Sequence, residues 1–150
     1  MEIEYRKLIE SDIDTFINMR ISQLQEEGTK SNEDLALSLK KYYKKHLQDN
    51  SFVSWLAIDN GKIIGTSGIS FVERPPYHRC PSGKMGILSS MYTVKEYRRK
   101  GIAKYLLDKV IDEARKYGCE EVQITASEMG VLLYSDYGFR DNRNFLYYEI

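Results

Sequence analysis

Residues 91–107 read Met91-Tyr-Thr-Val-Lys-Glu-Tyr-Arg-Arg-Lys-Gly-Ile-Ala-Lys-Tyr-Leu-Leu107, an alternating strand that passes through a basic, glycine-containing turn directly into an amphipathic helix. Such a turn is an anion cradle. The first N–H groups of a helix have no internal acceptor, and the helix dipole adds about half a positive charge at that end. Gly101 removes the Cβ that would hold an anion away, and Arg98, Arg99, Lys100 and Lys104 add charge. Downstream, apolar positions 102, 103, 106, 107, 110, 111 and 114 share one helical face, and Gly118 ends the helix. A strand over 84–94 and an alternating one over 121–126 flank this helix. A crossover of that size predicts parallel strands in a right-handed βαβ unit.

Working outward, Ile3 and Tyr5 alternate with polar residues as a first strand should. Ser11 and Asp14 before the series Ile13, Phe16, Ile17, Met19 and Leu24 predict one helix. Ser31 and Asp34 before Leu35, Leu39, Tyr42, Tyr43 and Leu47 predict a second. Residues 52–58 and 62–72 flank Asp59-Asn60-Gly61, whose Asn-Gly step suits a tight hairpin turn. All three prolines fall between Glu73 and Gly83, which predicts an exposed loop of the length that often faces ligands. A short helix over 129–137, stopped by Gly138, and a last strand over 145–149 complete the pattern.

A chain of 150 residues suits a single domain over 1–150, and its 42% hydrophobic and 29% charged residues are ordinary for a globular protein. The 22 basic and 22 acidic side chains cancel, so no global field favours nucleic acid or an anionic membrane. No stretch approaches the roughly 20 apolar residues of a membrane span, and Met1-Glu-Ile-Glu-Tyr-Arg6 lacks the form of a secretion signal; a cytoplasmic location is expected. Lys40, Lys41, Lys44 and Lys45 read as a solvated helix face. Cys80 and Cys119 match no metal or redox spacing and read as reduced thiols.

The motif Arg98-x-x-Gly101-x-Ala103 resembles the pyrophosphate loop of the GNAT superfamily of N-acetyltransferases, Gln/Arg-x-x-Gly-x-Gly/Ala. Met91-Tyr-Thr93 is similar to that family's fourth strand, and Leu133-Tyr-Ser-Asp-Tyr-Gly-Phe139 to its Leu-Tyr-x-x-x-Gly-Phe signature. Together they cover about residues 86–139. The resemblance implies an α/β (α+β) fold with a mixed, mostly antiparallel sheet of six to seven strands and about four helices. It implies acetyl-coenzyme A (acetyl-CoA) as co-substrate and no metal.

On that resemblance the fourth and fifth strands splay apart and admit the pantetheine arm. Main-chain groups of Met91 and Thr93, with Tyr92 between them, would meet it. Amides of Arg99, Lys100, Gly101, Ile102, Ala103 and Lys104, after Arg98, would take the pyrophosphate. Ser127 falls where many relatives carry a cofactor-steadying asparagine. Tyr134 would donate a proton to the departing thiolate, whose conjugate acid has a pKa near ~8.5. The acceptor would be a small-molecule amine, with a protein amino group also open; a lysine-like amine is neutral in only about one molecule per few thousand at pH 7, so a base should assist. Glu26, Glu27 and Glu73 lie in the loops expected to border the acceptor cleft, and Glu26 is favoured.

Other chemistries fail on spacing. There is no Gly-x4-Gly-Lys-Ser/Thr loop, no Gly-x-Gly-x-x-Gly opening a helix and no complete nucleophile elbow. His46, His78 and two cysteines are too scattered for a zinc site. Two rivals to an acetyltransferase stay open: a non-catalytic acyl-CoA sensor or interaction module, and a transferase of a longer acyl group. A homodimer also stays open.

Overall fold

The computed structural model describes residues 2–28, 33–126, 130–141 and 145–150. Its strands are β1 (Glu4–Lys7), β2 (Phe52–Val53), β3 (Trp55–Asp59), β4 (Lys62–Thr66), β5 (Ile69–Glu73), β6 (Lys84–Leu88), β7 (Tyr92–Thr93) and β8 (Glu121–Gln123). Its helices are α1 (Ile13–Glu26), α2 (Glu33–Gln48), α3 (Ile102–Tyr117) and α4 (Val131–Tyr137). Among the described residues the strands form two four-stranded sheets, β1-β3-β4-β7 and β2-β5-β6-β8, in which only β6 and β8 run parallel. This is the mixed, mostly antiparallel α/β fold expected, with one difference in layout.

That difference is that three long strands each change sheet midway. The 52–58 strand breaks at Ser54, the 62–72 strand at Ser67–Gly68 and the 84–94 strand at Ser89–Met91. Ser67 marks the crossing chemically: its hydroxyl accepts from the Trp55 N–H at 2.9 Å and donates to the Trp55 carbonyl at 2.8 Å, taking a place the main chain would otherwise fill. At the third break Ser90 adopts φ 57°, and the Thr66 hydroxyl donates to its carbonyl at 2.6 Å. One splayed surface results, held together along its length but opening where β6 gives way to β7.

The Asn60-Gly61 turn forms as expected, with φ 49° and 75° at its two residues and Asp59 opposite Lys62. Along β3, Leu56 and Ile58 join Leu8, Ile13, Phe16, Tyr43 and Phe52 under α1 and α2. Ala57, between them, joins Ile64, Ile102 and Leu106 under α3. The period-2 alternation thus sends α1–α2 and α3 to opposite faces. Gly65 sets how close α3 sits: a Cβ there would lie 3.2 Å from Ala57, Ile102 and Leu106 alike.

Two expectations are corrected. Residues 145–149 form no strand: Phe145, Leu146, Tyr147 and Tyr148 are exposed, and strand composition without a partner does not make a ladder. The proline loop 74–83 does not face the opening. It folds on itself through Tyr77 and Cys80 and is tied to Glu121, at the start of β8, by the Tyr77 hydroxyl (2.7 Å) and Arg79 (2.9 Å). Glu73, paired with Lys84 at the start of β6, is removed from the acceptor side with it.

Candidate active site

The chemistry expected from the sequence converges where β7 and the residues after β8 part. β6 and β8 stay in register through Ile87 and Gln123. Beyond that point the chain from β6 crosses to β7 in the other sheet, so residues 124–126 lose their neighbour and a gap opens. On its β7 side, the Val94 N–H donates to Ile64 at 2.9 Å, with Tyr92 opposite Thr66. Alternate residues of a strand turn their main-chain groups to opposite edges. Val94 and Tyr92 therefore serve β4, and Thr93 turns its main-chain groups to the opposite edge, where its carbonyl accepts from Arg98. Tyr92 is thus a sheet residue by its backbone.

At the end of the gap the chain turns into α3 through two left-handed residues, Arg99 at φ 62° and Gly101 at φ 80°. A non-glycine residue in that region is uncommon, and its appearance beside a helix start marks a backbone nest, in which successive N–H groups converge on an anion. Among the described residues, none of the amides from Arg99 to Lys104 donates to a main-chain acceptor. The first bond of α3 runs from the Tyr105 N–H to the Gly101 carbonyl at 3.1 Å. Around Gly101 a Cβ would meet nothing within 4 Å, so the space over the amides is open.

The cations of the motif divide the labour. Arg98 turns away from the nest: its Nε donates to the Thr93 carbonyl at 2.8 Å and its terminal nitrogen to Glu26 at 2.9 Å. Lys104 lies 3.5 Å from Asp108, and Lys100 sits over the Tyr97 ring, while Arg99 is exposed. The sequence motif does not show this turn of Arg98, because its acceptors lie 5 and 72 residues away along the chain.

α1 ends over the same place. Gln23 donates to the Met91 carbonyl at 3.3 Å and toward Glu27 at 3.4 Å. Glu26 receives the Tyr92 hydroxyl at 2.9 Å and Arg98 at 2.9 Å. The Tyr92 hydrogen bond, then that from Arg98, holds the Glu26 carboxyl below its ordinary range. A depressed pKa means the bonds are fully present above the ordinary carboxylate range and are lost only as pH falls through the lowered value. Glu26 is therefore anionic at neutral pH and a poor proton acceptor. It ties the end of α1 to β7 and to the turn before α3. Glu26→Ala is expected to raise the KM for the CoA donor several-fold with kcat changed less than two-fold, and Glu26→Asp to recover part of that loss; equal falls in kcat and kcat/KM would instead place Glu26 in the chemical step.

Tyr134, on α4, is 6% exposed and meets the Phe139 ring edge-on with centroids 5.5 Å apart. Burial, and after it the charge of Glu27, pushes its phenol up to about 12. It is thus protonated across the physiological range, and Glu27 is close enough to be felt. Ser127 lies outside the described residues. A shallow concavity lined by Lys7, Ile9, Lys44 and Phe52 shares no residue with this gap. Among the described residues no group of three or more His, Cys, Asp or Glu side chains could hold a metal ion, and no helix is long and apolar enough to cross a membrane.

The model of the acetyltransferase (GNAT) family matches residues 14–139. A predicted acetyltransferase from Clostridium acetobutylicum, solved with acetyl-CoA, is 33% identical; the match covers 99% of this chain and 96% of that one, with a TM-score of 0.95. A GCN5-related N-acetyltransferase from Ralstonia eutropha, 23% identical with 99% of each chain covered and a TM-score of 0.86, shares the fold. Among curated proteins, N-acetyltransferase 8B of Rattus norvegicus is 32% identical over 100 residues, which are 65% of this chain and 43% of the relative. The chain thus spans less than half the length of that curated relative.

Proposed function

Because the chain belongs to the acetyltransferase (GNAT) family, we propose that it transfers an acetyl group from acetyl-CoA directly to a primary amine of a small acceptor. The observation that carries this reading is the run of amides from Arg99 to Lys104, without main-chain acceptors and opening onto free space at one end of a strand gap. A diphosphate bound there places the rest of a CoA molecule along Met91 and Thr93. The Clostridium relative, similar over nearly its whole length, was solved with acetyl-CoA, which supports the same donor here.

In this reading the amide of Met91 stabilises the negative charge that develops on the thioester oxygen. The amine nitrogen forms the new bond to the acetyl carbon, the carbon–sulfur bond breaks, and the sulfur leaves with its electron pair. Tyr134 then supplies a proton to that sulfur. The amine must lose a proton, and Glu26, held anionic by Tyr92 and Arg98, is badly matched to take it. Glu27, whose charge acts on Tyr134, is the better placed carboxylate. Its negative charge on the acceptor side favours a small cationic amine.

The test is release of free CoA thiol from acetyl-, propionyl- and succinyl-CoA against a panel of amino acids, polyamines, aminoglycosides and amine-bearing peptides. Fastest release from acetyl-CoA with a small cationic amine is the expected result. Tight acetyl-CoA binding with no release across the panel would replace the enzyme by an acyl-CoA sensor. Preference for succinyl-CoA would replace the acetyl donor.

A further inference from the structure

We propose that the amine acceptor is an α-amino acid, its carboxylate held by Arg20 and its amine by Glu27, at the two ends of one face of α1. This rests on the transfer reading above and narrows it to amines with an adjacent acid. Arg20, Gln23 and Glu27 follow one another at spacings of three and four, so their side chains share one stripe of the helix. Gln23, only 8% exposed, lies between the other two and orients both. Its Nε2 serves two oxygens, the Met91 carbonyl at 3.3 Å and Glu27 at 3.4 Å, which leaves its Oε1 to accept from Arg20 Nη1 at 3.0 Å.

Arg20 is a half-buried cation without an anion. Among the described residues it enters no ion pair, whereas Arg6, Arg74, Arg79, Arg98 and Arg115 each do. A guanidinium carries five N–H donors in a fork that matches a carboxylate, and here the neutral Gln23 oxygen takes one of them. The charge also lies on the acceptor side. Burial pushes the Tyr43 phenol of α2 up, and against that act the nearby Ser90 hydroxyl and the charge of Arg20. Ser90 precedes Met91 at the crossing from β6 to β7, so Arg20 stands by the place proposed for the thioester. The other end of the stripe is also at the chemistry, since the charge of Glu27 reaches Tyr134.

The separation of the two charges selects the acceptor. Spanning one carboxamide, the bonds of Gln23 put Arg20 Nη1 within about 9 Å of the Glu27 carboxylate and of the Met91 carbonyl. The amine and carboxylate of an α-amino acid lie about 3 Å apart, and a charge-assisted bond of about 2.8 Å at each end fills that span. A polyamine would set a second cation against Arg20, and an amine with no acid would leave the guanidinium unpaired. Negative charge at Glu27 and positive charge at Arg20 thus fix the direction of one molecule, with its amine toward Tyr134 and the thioester.

The test sets each of several α-amino acids beside its own amide and its decarboxylated amine, with free CoA thiol as the readout. For the unmodified protein, kcat/KM is expected to be about 30-fold higher for the amino acid than for either partner. Arg20→Gln is expected to raise the amino-acid KM about tenfold or more, with the KM for acetyl-CoA changed less than about two-fold, and to bring each set of three within about three-fold. Arg20→Lys should restore part of the preference. Equal kcat/KM for amino acids and carboxylate-free amines in the unmodified protein, a comparison that needs no variant to fold, would overturn the assignment while leaving transfer to an amine intact. A preference kept by Arg20→Gln would overturn it too. No release from any acceptor would remove the transferase reading and this assignment together.

Discussion

Gly101→Glu is expected to abolish acetyl-CoA binding, lowering affinity by at least ~100-fold, or about 2.7 kcal/mol, while the fold survives. Gly101 has φ 80°, and a side chain placed there meets nothing within 4 Å, so no packing is disturbed. The left-handed backbone costs an ordinary residue only about 1–2 kcal/mol. What changes is the charge over the amides. A carboxylate beside the Arg99–Lys104 nest competes for those N–H groups and repels a diphosphate. Gly101→Asn is the matched control, since asparagine accepts left-handed backbone and adds no charge. Calorimetry should show binding lost in the first and largely kept in the second; unchanged affinity in Gly101→Glu would remove the nest from the account.

Tyr134→Phe is expected to lower kcat about 100-fold, the low end of the range for proton transfer by a positioned side chain, with donor affinity changed less than three-fold. The low end follows from the phenol itself. Burial pushes it up to about 12, so it is always protonated but a reluctant donor, and CoA thiolate is a fair leaving group unaided. Tyr137→Phe serves as control. Its hydroxyl is also pushed up to about 12, by burial and then by Asp108 of α3, and it turns toward that carboxylate. It should leave kcat unchanged. If the two variants fall equally, the loss reflects packing of α4 rather than a proton.

Much of this was legible in the sequence because it is written locally. α3 follows from its apolar spacing and from the glycines at both ends, whose φ values of 80° and 94° no other residue adopts as easily. The Asn60-Gly61 hairpin and the parallel pairing of β6 with β8 rest on equally local signals. The strand crossings at Ser54, Ser67 and Ser89–Met91 were not legible: serine sits quietly in a strand pattern, and the alternation reads straight through each break. The division into two sheets is visible only once the Ser67 hydroxyl is seen bonded to the main chain of Trp55.

The site divides in the same way. The turn into α3 could be read from 98–104, but the part played by each cation could not. Arg98 looks like a phosphate ligand until Thr93 and Glu26 are placed beside it. Glu26 looked like a base because a loop carboxylate near a cleft has that appearance in one dimension; Tyr92 and Arg98, 66 and 72 residues away, make it a tie from α1 to β7 and the turn before α3. Segment 145–150 carries every local mark of a strand. Strand formation also needs an edge to join, and among the described residues this segment joins none.

A crystal structure of the chain with CoA tests the central claim most directly. Both phosphates are expected within about 3 Å of amide nitrogens between Arg99 and Lys104, with the pantetheine arm in the gap beside Met91 and Thr93. A diphosphate held only by lysine and arginine side chains, or lodged away from the start of α3 with those amides satisfied by protein, would contradict it.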